Sequence, residues 1–248
     1  MNEFFPWKAR KAQGTNLYLR GFTLLELVTV IGIMGVVMCL TFHSIHGMKG
    51  SGDLTASSGI ISTILSQARS QAMARNTYVY VGFYESDVTK SDVLRPAPAG
   101  TGRIWVGIAV SKDGTQGYNT TNPASWSTGN LRPGGKLQFF DNLHLATNAT
   151  FYATNTTANT LSPVGDPSAT NTPFGWPLEN SNSVTRFTQG VIEFTPQGAA
   201  TLPGTSSPPE YLQIALIPTH GNFTSNNFPN AAVIQLDALT GATRTFRP

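Results

Sequence analysis

"RGFTLLELVTVIGIMGVVMCLTF", residues 20–42, is the stretch on which the reading of the whole chain turns. At ~1.5 Å of rise per residue, a helix needs roughly 20 apolar residues to cross a bilayer core, and this run has that length. One carboxylate, Glu26, stands near its start, just beyond Arg20-Gly21-Phe22. An acid inside an apolar helix costs free energy, so its presence marks a function or a partner.

Upstream, residues 1–21 hold Lys8, Arg10, Lys11 and Arg20 against one acid, Glu3. The formal net charge of the 248-residue chain is +3, so the imbalance belongs to this leader and the remainder is neutral. A general nucleic-acid-binding surface is not indicated. The run is longer than the apolar region of an ordinary signal peptide. Leu40-Thr41-Phe42-His43-Ser44 also offers no small-residue cleavage site of the A-x-A kind. A basic flank before an apolar run predicts a membrane anchor with its basic side in the cytoplasm. The single cysteine, Cys39, permits neither an intrachain disulfide nor a cysteine metal site. It reads as a small apolar residue of the helix. Sparse charge, 12%, with 24 glycines and 16 prolines favours turns and polar loops over a helical bundle.

Gly21-Phe22-Thr23-Leu24-Leu25-Glu26-Leu27 resembles the type IV prepilin signature. The resemblance implies cleavage by a prepilin peptidase between Gly21 and Phe22, N-methylation of Phe22, and a filament-assembly role for Glu26, which neutralises the terminal amine of a neighbouring subunit. The chemistry fits the position. Cleavage frees a cationic amine at the head of an apolar helix, where the helix end is already partly positive. An unpaired amine or carboxylate is costly where packed helices exclude water, and a staggered array pairs one with the other.

Beyond Phe42, Gly47, Gly50 and Gly52 predict a bend or break, at roughly 1 kcal/mol each relative to alanine in a helix. His43 and His46 share a helix face, but a metal site needs further ligands and no third is in view, so they read as solvated. From Asp53 onward Ile60, Ile61, Ile64, Leu65, Ala68, Ala72 and Met73 recur at helical spacing, and Asn76 suits a helix end. Val79, Val81 and Phe83 then alternate with Tyr78, Tyr80 and Tyr84 as a strand. Residues 65–77, with their Ala68-Arg69 and Ala72 seam, are similar to the helix-to-strand segment of the H-type minor pseudopilins and FimT-like minor pilins. That likeness implies a helix lying on a sheet with the arginine pointing away. Strands are predicted over 103–110, 190–194, 211–218 and 231–237, and weaker ones over 136–140 and 148–152, with a turn at Asp113-Gly114. Residues 153–183 read as a loop-rich insertion. Phe194 to Gly198 resembles the Phe-x-Pro-x-Gly turn of the H-type family, and 240–247 its last strand.

No G-x-S-x-G, H-E-x-x-H or phosphate-binding glycine loop occurs. His144 and His220 belong to no motif, and Asp141, Asp166 and Asp237 are scattered and read as exposed structural carboxylates. Asn-x-Thr triplets at Asn119, Asn148 and Asn155 read as chance matches in loops. Arg244 and Arg247, flanking Phe246, are the candidate DNA contacts, because FimT-like minor pilins can bind DNA through basic C-terminal residues. A strand exposing arginine on one face explains them equally well.

The reading is an α+β, pilin-like chain: a leader at 1–21, a long hydrophobic transmembrane or filament-core helix at 22–50, an amphipathic helix at 51–76, and an antiparallel β-rich head at 77–248 with an insertion near 153–183. Its implied function is that of a minor pilin or pseudopilin, a structural subunit of a type II secretion pseudopilus or type IV pilus-like filament, and not an enzyme. No cofactor and no metal are expected. The implied location is the bacterial inner membrane, single-pass with a periplasmic head, and then the filament. Expected partners are the prepilin peptidase, other pilins through the N-terminal helix, and the inner membrane; nucleic acid is not expected. The alternative is a membrane-anchored module binding a substrate or surface through residues 85–185, or a DNA-uptake minor pilin.

Overall fold

A computed structural model describes residues 22–90, 99–117, 128–146, 161–163, 174–176, 185–187, 190–203, 210–224 and 230–247. The leader with Gly21, the strand candidate at 148–152, most of 153–183, and Asn119, Asn155 and Asp166 lie outside the described residues. The chain divides into two compact units, Met1–Ile45 and His46–Pro248.

Helix α1 runs Leu24–Arg75 as one element of 52 residues. The bend predicted at the glycines near 47–52 does not interrupt it, because propensity is a weak preference that context overrides. Its end is built by a Schellman motif: Thr77 N donates to Ala72 O at 3.0 Å and Asn76 N to Met73 O at 3.3 Å. Asn76 takes the left-handed conformation this requires, with φ at 48°, as its sequence position predicts.

The expected architecture, a long hydrophobic helix followed by a β-rich head, is corrected by the structure. The described residues form a mostly antiparallel β half-barrel with one α-helix and one 3-10 turn, Thr128–Asn130. Among them no helix is long and apolar enough to cross a membrane. The physical reason lies in the sequence of α1. From Leu24 to Cys39 the apolar stretch is interrupted by Glu26, Thr29, Gly32 and Gly35. Beyond it Thr41, His43, Ser44, His46, Lys49 and Asp53 enter the same helix. The transmembrane helix and the single-pass inner-membrane location are therefore overturned, and the fold lends no support to a pilin or secretion role.

In the second unit the strands are β1 Val79–Asp87, β2 Gly102–Ser111, β3 Leu131–Pro133, β4 Gln138–Ala146, β5 Leu161–Pro163, β6 Phe174–Trp176, β7 Thr185–Phe187, β8 Val191–Phe194, β9 Ala200–Thr201, β10 Tyr211–His220, β11 Phe223–Thr224, β12 Ala232–Asp237 and β13 Thr243–Phe246. The main sheet has the order β13-β12-β10-β4-β2-β1-β8-β9, and each neighbouring pair is antiparallel. Strand β5 adds to β10 in parallel, β11 and β3 extend β10 and β2, and β6 pairs with β7 apart from the main sheet. Part of the expected insertion thus carries short strands.

Alternation sorts each strand into two faces. Val79, Val81 and Phe83, with Ile104, Val106, Ile108 and Val110, join Leu212, Ile214 and Leu216 and the helix residues Leu54, Ile61, Leu65, Ala68 and Ala72 in one buried cluster. Each such Leu, Ile or Val contributes about 1.5–3 kcal/mol on burial. The opposite face is also covered, by Tyr80, Tyr84, Trp105, Leu131 and Phe187. Residues 54–72 of the helix pack on the inner face of the curled sheet, and β9, at one end of the sheet, reaches the turn between β12 and β13 at the other. Ala200 N donates to Ala238 O at 2.7 Å. Beside that bond a Cβ on Gly241 would collide with Gly198 O, and one on Gly198 would meet Met73 Sδ at 2.8 Å. Both glycines have positive φ, 67° and 86°, which side chains other than glycine rarely adopt.

Candidate functional site

At the head of α1, Thr23 is the N-cap and Glu26 the third helical residue. Thr23 N and Thr23 Oγ1 each donate to Glu26 Oε2 at 3.0 Å, while Glu26 N donates to Thr23 Oγ1 at 3.2 Å. This reciprocal arrangement is a capping box, and it satisfies backbone donors that the first turn would otherwise leave bare. The Thr23 N–H, and after it the Thr23 hydroxyl, lower the Glu26 carboxyl below its ordinary range. The acid is therefore ionised at neutral pH. Both donors end on Oε2, which leaves Oε1 open to a further donor among the described residues.

Around this acid the helix is apolar on every side and uncovered. Phe22 and Leu24 are each 81% exposed, and Leu25, Ile31, Ile33, Met34 and Val36 are exposed with them. Cys39 is exposed as well. A helix that is apolar all round is ordinarily buried against something. The side chains of His43 and His46 lie outside what the structure describes.

Arg244 sits on β13 opposite Gln235, with its charge near Asp237. Arg247 donates to Thr55 Oγ1 of α1. Both candidate DNA contacts thus have neighbours within the chain. Asp237 is a turn former: its Oδ1 accepts from Thr240 N at 2.8 Å, which chiefly lowers its carboxyl below the ordinary range.

One polar cluster escaped the sequence reading. Glu85, on the core-facing side of β1, is buried, 1% exposed. Its Oε1 accepts from Gly102 N at 3.1 Å, its Oε2 from Leu145 N at 3.4 Å, and His144 Nδ1 lies 2.9 Å from both oxygens. A carboxylate only accepts, so Nδ1 carries a proton and the ring's other nitrogen faces away. Nearby, Trp105 Nε1 donates to Ser86 Oγ at 2.9 Å. Arg103 pairs with Asp141 and lies 5.2 Å over the Phe139 ring. A register shift at Gly102/Arg103, with Asn142 at φ 60°, lets β2 and β4 separate where Glu85 reaches through. Asp141 is thus an ion-pair member, not a free surface acid. The signal available in the sequence was faint: Glu85 continues the alternation of Val79, Val81 and Phe83 onto the buried face.

A carboxylate-oriented imidazole is an ingredient of acid–base and metal sites. Here the ring's partner is Glu85, whose oxygens are shared with two backbone amides. Among the described residues no group of three or more His, Cys, Asp or Glu side chains could hold a metal ion. The cluster's chemistry is that of a tie across strand ends. Where the sheet ends meet there is also a cavity of about 480 Å³, mostly apolar, lined by Ala199, Ala200, Tyr211 and Leu239 with Glu210 and Asp237 at its edge. No protein-family model, curated protein or solved structure matches this chain.

Proposed function

We propose that the chain is a minor subunit of a pilin- or pseudopilin-like filament, released by cleavage between Gly21 and Phe22 and assembled through the apolar stretch from Phe22 to Met38. The reading rests on one observation: an uncovered helical surface, apolar all round, headed by a single ionised acid. Identical helices packed side by side cover that surface. They also bring a freed terminal amine to the open oxygen of Glu26 on a neighbour, and a charge-assisted hydrogen bond in that dry setting offsets the desolvation of both ions. Support comes from residues 21–38 and not from the fold of the second unit.

Mass spectrometry of the protein purified from its native host tests the reading. A chain beginning at N-methylated Phe22 is expected, and any other first residue overturns the proposal. Glu26→Leu separates assembly from its alternative. A filament subunit loses assembly, while its second unit keeps the unfolding transition of the parent. A module that merely binds a ligand through residues 85–185 keeps that binding unchanged.

A further inference from the structure

Strand β13 is the last strand of the main sheet, and its outer edge carries no backbone hydrogen bond among the described residues. An open edge is a template for another strand. Cross-strand partners share a face, so the register Val233↔Phe246 and Gln235↔Arg244 places Arg244 and Phe246 on one face with Asp237 and its partner Tyr211. That face is the one opposite Ile234 and Leu236 in the core. Tyr211 and Asp237 on that face help to line the cavity beside the β12–β13 turn. This corner of the sheet thus carries both halves of a complement: an apolar hollow lined also by two acids, Glu210 and Asp237, and an apolar side chain, Phe246, 48% exposed, with Arg244 on the same face.

We propose that two copies of this chain join edge to edge through β13, each seating its Phe246 against Leu239 and the cavity of the other. Two strands related by a two-fold axis run antiparallel. The Phe246 end of one therefore falls beside the Thr243 end of the other, next to the turn that bears Leu239, itself 83% exposed. Pairing like edges brings Arg244 of both copies together, which by itself repels. Glu210 and Asp237 supply the compensating charge, so the contact is selective for this edge. Neither the cavity nor β13 belongs to the apolar head of α1, and the inference does not depend on filament assembly.

A photo-reactive benzophenone amino acid placed at position 246 of the full chain, which keeps the aromatic character, tests it. The expected product is a covalent dimer whose cross-linked peptide contains residues 237–239 of a second copy. Leu239→Arg in the acceptor copy lowers the yield about tenfold or more, the scale for disrupting an anchor pocket. In a sedimentation assay Phe246→Asp and Leu239→Arg each weaken self-association, and mixing the two restores it, because the mixed pair has one intact contact and one Asp–Arg contact. Leu25→Asp, on the exposed face of α1, leaves the cross-link in place while removing helix-driven assembly. Cross-links to an unrelated protein, cross-links confined to one chain, or mixing without recovery would overturn the proposal.

Discussion

With its carboxylate shared between two backbone amides and the His144 ring, Glu85 ties β1 to β2 and β4 where those strands part. Removing it leaves buried N–H groups with no acceptor, each costing about 1–3 kcal/mol. Glu85→Ala is expected to lower stability by about 3 kcal/mol in denaturant unfolding, and His144→Ala by about 1–2 kcal/mol, since the amides keep their acceptor. Asp113 acts at another residue-level joint. Its Oδ1 accepts from Asn130 Nδ2 at 2.6 Å, Thr115 N at 2.9 Å and Thr115 Oγ1 at 2.7 Å, holding its carboxyl far below the usual 3.8, with the Asn130 amide the largest cause. A carboxyl lowered in the folded state stabilises fully above its unfolded value and loses that contribution as pH falls below it. Stability measured from pH 5 downward should therefore decline through about 3.8 and lower, and Asp113→Asn should flatten part of that decline. A mutant with an unchanged acid slope would refute the assignment. The Glu85–His144 cluster was not legible in the sequence, because its partners are 17 to 60 positions away and only the sheet brings them together; at Asp113 the turn was legible, but not the bond from Asn130, 17 positions away.

At the scale of elements, the first turn of α1 owes its order to Thr23 as much as to Glu26. Thr23→Val removes the hydroxyl that takes Glu26 N and should cost about 1 kcal/mol of local helix stability, while Thr23→Ser should restore it. Amide hydrogen exchange at Leu25 and Glu26 reads the change. This cap was legible, as a threonine followed three residues later by a glutamate before an apolar run; the prepilin-like reading of the same acid drew attention to an intermolecular partner instead. The helix end at Asn76 and the strands at 103–110, 190–194, 211–218 and 231–237 were legible for a simpler reason, because alternation and left-handed capping are local properties. The division of 22–76 into two helices was not. Glycine spacing records a local preference, and the two flanking helical segments outweigh it in one continuous element.

For the molecule as a whole, strand order could not be read from the chain. Placing β8 and β9 beyond β1, and β10 between β4 and β12, depends on contacts far apart in sequence that single-strand patterns do not encode. Nor could the meeting of the sheet's ends be foreseen, although its requirement for Gly198 and Gly241 is physical. Gly241→Ala places a Cβ against Gly198 O at a positive φ, and is expected to destabilise the second unit by about 2 kcal/mol or more. Thermal unfolding measures this, and an unchanged midpoint would show that the turns are not pressed together.

The closing strand, β9, is two residues long. A curled ribbon whose last rung is so short has a natural place to start unravelling. Deuterium should enter the Ala200 amide well before those of β1 and β2, and a protease able to cut near Gly198 should find its footing there first. The lip of the curl is thus the place where the folded form should first open.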